Sequence, residues 1–255
     1  MNPNLCRVAL RPRGPFEVFD LTLRFIRERA RPLLWLSVCT VLPATVVCSF
    51  LSFYDDYQYI ALLIAVGVAP LIHAPFTAVG GRLLFADDTS VRQGLWSTIR
   101  RPSGLVVTVG ASVATWVLIC TGVGVLALPF TVYLPETAIL ERVSLSRGTS
   151  RSSRLAAGQL GVATVAAIAP WALMLWGGLV GELSGQLLVG FVLQLGQPLG
   201  ALEFGDMTPF LLAGILLSHP IYAIFRLLLY VDVRTRMEGW DLQVGLRALG
   251  IEGPR

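Results

Sequence analysis

The sequence contains no lysine, little charge of either sign and no cysteine pair spaced to hold a metal. Only 14% of its 255 residues are charged, against about 25% in soluble domains. With 55% hydrophobic residues and a mean hydropathy of +0.69, the chain carries more apolar surface than a soluble fold of this length can bury. Lipid must solvate part of it. The absence of lysine reads as a trace of genome composition rather than of mechanism. The four cysteines, at 6, 39, 48 and 120, form no CxxC. Three sit in apolar runs as small fillers, and Cys6 lies in a basic segment. There is no H-E-x-x-H, G-x-S-x-G, P-loop or paired-acid motif. The expectation is therefore no catalytic residue, no metal and no cofactor. A cleavable signal peptide is not expected either. The first apolar run starts only at Leu33, and no small-residue cleavage site follows it.

What charge there is has a pattern. Seven arginines precede residue 32, four lie between 82 and 101, four between 142 and 154, and five from 226 onward. Each cluster abuts a long apolar run, as membrane-flanking loops do. Nucleic-acid binding, the other reading of a basic chain, does not suit that arrangement.

The apolar runs predict an all-α, polytopic transmembrane bundle with about six spans arranged as three hairpins. Residues 33–53 and 59–79 make the first hairpin. Residues 105–140 would be about 54 Å long as one helix, against a core of about 30 Å, so two short spans turning near 122–124 are expected. Residues 156–181 and 207–230 complete the set, with 183–202, broken by glycines, as an interfacial or re-entrant segment. This topology places every arginine and eleven acids on one side, a formal +9. Five acids and no base lie on the other, −5, which accounts for the net +4. By the positive-inside rule the basic side is cytoplasmic, with both termini there. The domains expected are a cytoplasmic segment 1–32 with an amphipathic helix, a membrane domain 33–230 and a cytoplasmic tail 231–255.

Within the first segment, Phe16, Phe19, Leu23 and Ile26 fall on one helical face. Asp20–Arg24 and Arg24–Glu28 are spaced as i,i+4 pairs. Such a helix would lie at the inner surface with its arginines near anionic headgroups. Similar basic segments occur at 89–101 and 143–155, each before a hairpin. The inner ends of the hairpins are also alike: PFTAVGGR from Pro75, PETAILER from Pro135 and, more loosely, PIYAIFR from Pro220. The unit is a surface helix followed by a hairpin, three times over.

Three ionisable residues fall inside expected spans and form the candidate intramembrane polar site: His73, Glu136 and His219. Each has a proline close by in sequence. The plainest role is structural, with histidines bonded to carbonyls freed by proline and Glu136 paired with an arginine. A proton relay or transport role is the alternative.

Just past the last span, Asp232, Arg234, Arg236, Glu238 and Asp241 form a cluster of mixed sign. They could pair with the arginine-rich loops and tie that face together. Residues 230–242 (YVDVRTRMEGWDL) resemble the closing stretch of a bacterial six-span family, the glycerophosphoryl diester phosphodiesterase membrane domain. Leu10, Arg11, Pro12, Glu17, Asp20 and Arg24 look similar too, as do residues 135–141 with Arg151, Ser152 and Leu155. The resemblance implies the six-span fold in a bacterial inner membrane. It does not imply phosphodiesterase activity, because that chemistry belongs to a barrel of about 250 residues and this chain devotes its length to the membrane module.

The function expected is that of a non-enzymatic scaffold or accessory subunit of a membrane complex. Its expected partners are anionic headgroups and a membrane or cytoplasmic protein, with no nucleic acid. A transporter or channel subunit for a small solute is the alternative. A membrane-embedded enzyme is the third reading and would need His73, Glu136 and His219 to converge.

Overall fold

The computed structural model describes residues 13–84, 90–100, 104–110, 112–113, 124–141, 143–195 and 207–239. These form an all-α helical bundle, with no strand among the described residues. Nine helices carry the argument. They are α1 (Pro15–Glu28), α2 (Ala30–Ser52), α3 (Gln58–Gly67), α4 (Ala69–Leu83), α5 (Val91–Ile99), α6 (Gly124–Thr131), α7 (Leu145–Gly158), α8 (Leu160–Gln186) and α9 (Pro209–Glu238). A turn at Leu134–Glu136 runs into a π-helical turn at Thr137–Glu141.

Four helical stretches are long and apolar enough to cross a membrane: Ala30–Ser52, Asp55–Leu83, Leu160–Val192 and Pro209–Glu238. The two short spans expected within 105–140 fall partly outside the described residues. What is described there, 104–110, 112–113 and α6, is helical.

Three boundaries differ from the sequence reading. The span expected at 156–181 starts at Leu160, because 156–158 end α7. It then continues through Gln186 and a π-helical turn to Val192. Residues 183–192 are thus helix, not a separate re-entrant piece. Gly185 does not break the helix. It makes room for the ring of Phe210, which would lie 2.2 Å from a Cβ at that position. Finally, α9 does not end at Tyr230 but carries the charged motif as two further turns. They close at Gly239, whose φ of 57° is the left-handed conformation that terminates helices.

The chain divides into two compact units. The first comprises Met1–Leu33, Ala74–Ala167 and Ala223–Arg255, and the second Leu34–His73 and Ile168–Tyr222. In the first, residues 223–238 of α9 are the core. Ala223, Ile224, Leu227, Leu229 and Val233 are sealed from solvent. Phe19 of α1 meets Phe225 edge-on at 5.6 Å. Gly80 of α4 lies against Ile224 and Leu227, and Gly94 of α5 lies against Val79. Ser152 of α7 donates to the Phe130 carbonyl of α6 at 2.8 Å.

α1 buries Val18, Thr22 and Phe25, whereas Phe16 and Leu23 are exposed. The face packed on protein is therefore centred on Val18, Thr22 and Phe25, beside the apolar face of Phe16, Phe19, Leu23 and Ile26 expected of a surface helix. Nor do Asp20–Arg24 and Arg24–Glu28 pair; the i,i+4 pair that forms is Arg13–Glu17, at 3.5 Å. α7 buries Gly148, Ser152 and Leu155, the α1 positions shifted by 130 residues. The single residues that separate each helix from the span after it, Arg29 and Gln159, are offset by the same 130.

The second unit is held differently. α8 and residues 209–222 of α9 approach until their backbones touch. A Cβ at Gly214 would lie 2.1 Å from the Gly177 carbonyl oxygen, and one at Gly181 2.6 Å from that of Phe210. In lipid there is little hydrophobic drive between helices, so small residues that allow close contact supply the packing.

Candidate functional site

The last two turns of α9 present Tyr230, Asp232, Arg234, Arg236 and Glu238. Helical spacing alone closes two pairs, Arg236 Nε to Asp232 Oδ2 and Arg234 Nε to Glu238 Oε2, each at 2.9 Å. Each pair is then locked to a different segment of the first unit.

The Asp232–Arg236 pair grips the start of α1 by its backbone. The Arg13 amide donates to Asp232 Oδ1 at 2.8 Å, and Arg236 donates to the Arg13 carbonyl. The Arg234–Glu238 pair meets α7 and the π-helical turn. Arg151 Nη2 lies 2.8 Å from Glu238 Oε1, and its Nε contacts Glu141. Glu141 also accepts from the Tyr230 hydroxyl and lies 3.5 Å from Arg234 Nη1. The Arg234 guanidinium sits 5.8 Å from the centre of the Tyr230 ring, a cation–π contact. Burial alone would lower the affinity of Arg151 for its proton. The carboxylates of Glu141 and Glu238 outweigh that and hold its pKa above the usual arginine value. Two arginines and two glutamates thus form a neutral quartet that joins α9, α7 and the turn before α7.

Deeper in the same unit, Arg226 Nε donates to Glu136 Oε1 at 2.7 Å. Glu136 is fully buried and the Arg226 side chain is 7% exposed. Two buried charges persist in such a setting only as a pair.

The two histidines, the only ones in the chain, meet inside the second unit. Their rings lie 5.3 Å apart, edge to face, and Tyr222 lies 5.2 Å from His73. All three are buried. His219 Nε2 is 2.9 Å from the Ala65 carbonyl oxygen, close to the break between α3 and α4 before Pro70. A carbonyl can only accept, so that ring nitrogen carries the hydrogen. At the other end of α9, the Thr208 hydroxyl donates to buried Glu182 and accepts the Leu211 amide at 3.2 Å. This caps the helix and sets a negative charge at its positive end.

The structure therefore brings His73 and His219 together. Glu136 belongs to the first unit and is partnered there by Arg226. Of the charged motif, Asp232, Arg234, Arg236 and Glu238 share one network, while Asp241 lies outside the described residues. Sequence reasoning named neither Glu141 nor Arg151 as a site residue. Their presence among the positions of family resemblance was the available signal. Glu182, which the sequence places at the start of the segment between the last two spans, on the side without arginine, is buried within α8. No group of three or more metal-binding side chains occurs among the described residues. No family model, curated protein or solved structure matches the chain.

Proposed function

We propose that this chain is a non-enzymatic, multi-pass membrane protein acting as a scaffold or accessory subunit of a membrane complex. The observation that carries the reading is the charged motif at the end of α9. Asp232, Arg234, Arg236 and Glu238 are spent on one another and on Arg13, Glu141 and Arg151. Groups committed in this way fix three segments in place and are poorly suited to turning over a substrate. The resemblance to a stand-alone membrane module fits the same role.

The charge division supports a bacterial inner-membrane location with both termini cytoplasmic. In a cysteine-free background, D56C should react with a membrane-impermeant maleimide in intact cells and T149C should not. The reverse pattern would overturn the orientation. The role itself is tested by mild-detergent purification at native expression level, with mass spectrometry of what co-elutes. A stoichiometric partner that is lost with E238A supports a scaffold built on this motif. A lone protein or homo-oligomer counts against it.

A transporter or channel subunit is the second reading, favoured by the buried pairing of His73 and His219. Solute flux into liposomes that disappears with H219A would establish it and displace the scaffold.

A further inference from the structure

Two groups stand out among the described arginines of the first unit. Arg13, Arg151, Arg226, Arg234 and Arg236 are engaged within the protein. Arg24, Arg27 and Arg31, on and just after α1, and Arg147 and Arg154 of α7 are exposed and form no ion pair among the described residues. α7 holds no carboxylate in its 14 residues, so nothing on that helix offsets its charge.

The exposed class does not stand alone. Beside it are bare apolar side chains: Phe16 at 91% exposure, Leu23 at 47% and Leu145 at 50%. Each helix leads directly into a candidate span: a single residue, Arg29, separates α1 from the span that begins at Ala30, and a single residue, Gln159, separates α7 from the span that begins at Leu160. The C-terminal end of each helix therefore lies within a few ångströms of the start of a span. Both helices are also held to the last turns of α9, α1 through Arg13 and α7 through Arg151.

We infer that α1 and α7 form a docking surface for anionic phospholipid headgroups. The exposed arginines would bind phosphate oxygens while Phe16, Leu23 and Leu145 enter the acyl boundary. Charge complementarity selects this occupant, since the unit is formally +9. The apolar companions favour a lipid surface, which takes arginines at the headgroups and bare apolar side chains at the acyl boundary side by side. The inference does not depend on the scaffold reading and holds for either orientation of the chain.

The test is reconstitution of the full chain into nanodiscs of phosphatidylcholine with or without phosphatidylglycerol. Retained lipid is counted by native mass spectrometry. The wild type should keep phosphatidylglycerol in preference to phosphatidylcholine, and the preference should fall as salt rises. R147Q/R154Q and R24Q/R27Q/R31Q should each reduce it, by roughly fivefold per arginine removed at low salt. The matching lysine variants should retain most of it, which separates charge from misfolding. Unchanged retention in both glutamine variants would overturn the inference. So would a wild type that shows no preference, or one that instead holds an acidic protein or nucleic acid through these arginines.

Discussion

The two units make opposite use of charge. The first holds all 20 arginines and eleven carboxylates, a formal +9, while the second holds five carboxylates and no arginine, −5. The stretches of chain that make up the two units divide the charges as the sorting of charged loops from apolar runs does. The lesson is that this chain is organised along its charge. Where ions exist they provide the joints, and where they are absent glycine-mediated contact provides them. The polar ties described in the second unit include Glu182 to Thr208, His219 to Ala65 and the Met207 amide to Gln58.

That contrast can be broken from either side. The largest effect is expected at the buried pair. Arg226→Ala leaves the Glu136 carboxylate buried and alone and should cost about 3–5 kcal/mol, seen as a large fall in the detergent-solubilised melting temperature. Replacing both residues together by apolar side chains of similar size should recover most of the loss. If Arg226→Ala melts like the wild type, the pair is not a joint.

A smaller effect is expected in the second unit. Gly214→Ala places a methyl group against the Gly177 backbone, which must move, at about 1–3 kcal/mol. Its cost should be insensitive to salt. A salt-dependent cost would mean that ions contribute to this packing as well.

The smallest effect is expected at the half-exposed quartet. Arg151→Ala should cost about 1 kcal/mol at low ionic strength and less at high. Comparing its salt response with that of Gly214→Ala measures directly how differently the two units are built. A cost for Arg151→Ala that does not change with salt would erase the distinction.

Much of this organisation was legible in the sequence. The arginine clusters, the long apolar runs and the charged motif after Tyr230 each have a simple physical signature. The buried face of α1 was not. Phe16, Phe19, Leu23 and Ile26 mark the apolar face of a surface helix, whereas the fully buried residues are Val18, Thr22 and Phe25. In a membrane protein, hydrophobicity does not separate residues facing lipid from those facing protein, so the pattern does not name the buried face. The parallel between α1 and α7 was legible as a basic segment before each hairpin, but its register was hidden for a related reason. What recurs is a set of buried positions, Val18, Thr22 and Phe25 against Gly148, Ser152 and Leu155, and the residues filling them differ. At the candidate site, the motif was visible because four charged residues of both signs recur at every second position over seven residues. Its partners were not, because Glu141 and Arg151 lie about 90 residues away in the chain. The contact between His73 and His219 spans 146 residues and leaves no local trace.

The clasp on α1 has a consequence for how this protein can drift. Asp232 and Arg236 hold position 13 by its amide and carbonyl, not by its side chain. Nearly any amino acid can occupy that position without loosening the grip, and the arginine found there adds only the contact to Glu17. Proline is the exception, since it has no amide hydrogen to donate. A position that looks interchangeable when sequences are compared can thus sit at the centre of a structural joint, with a single forbidden residue as its only signature.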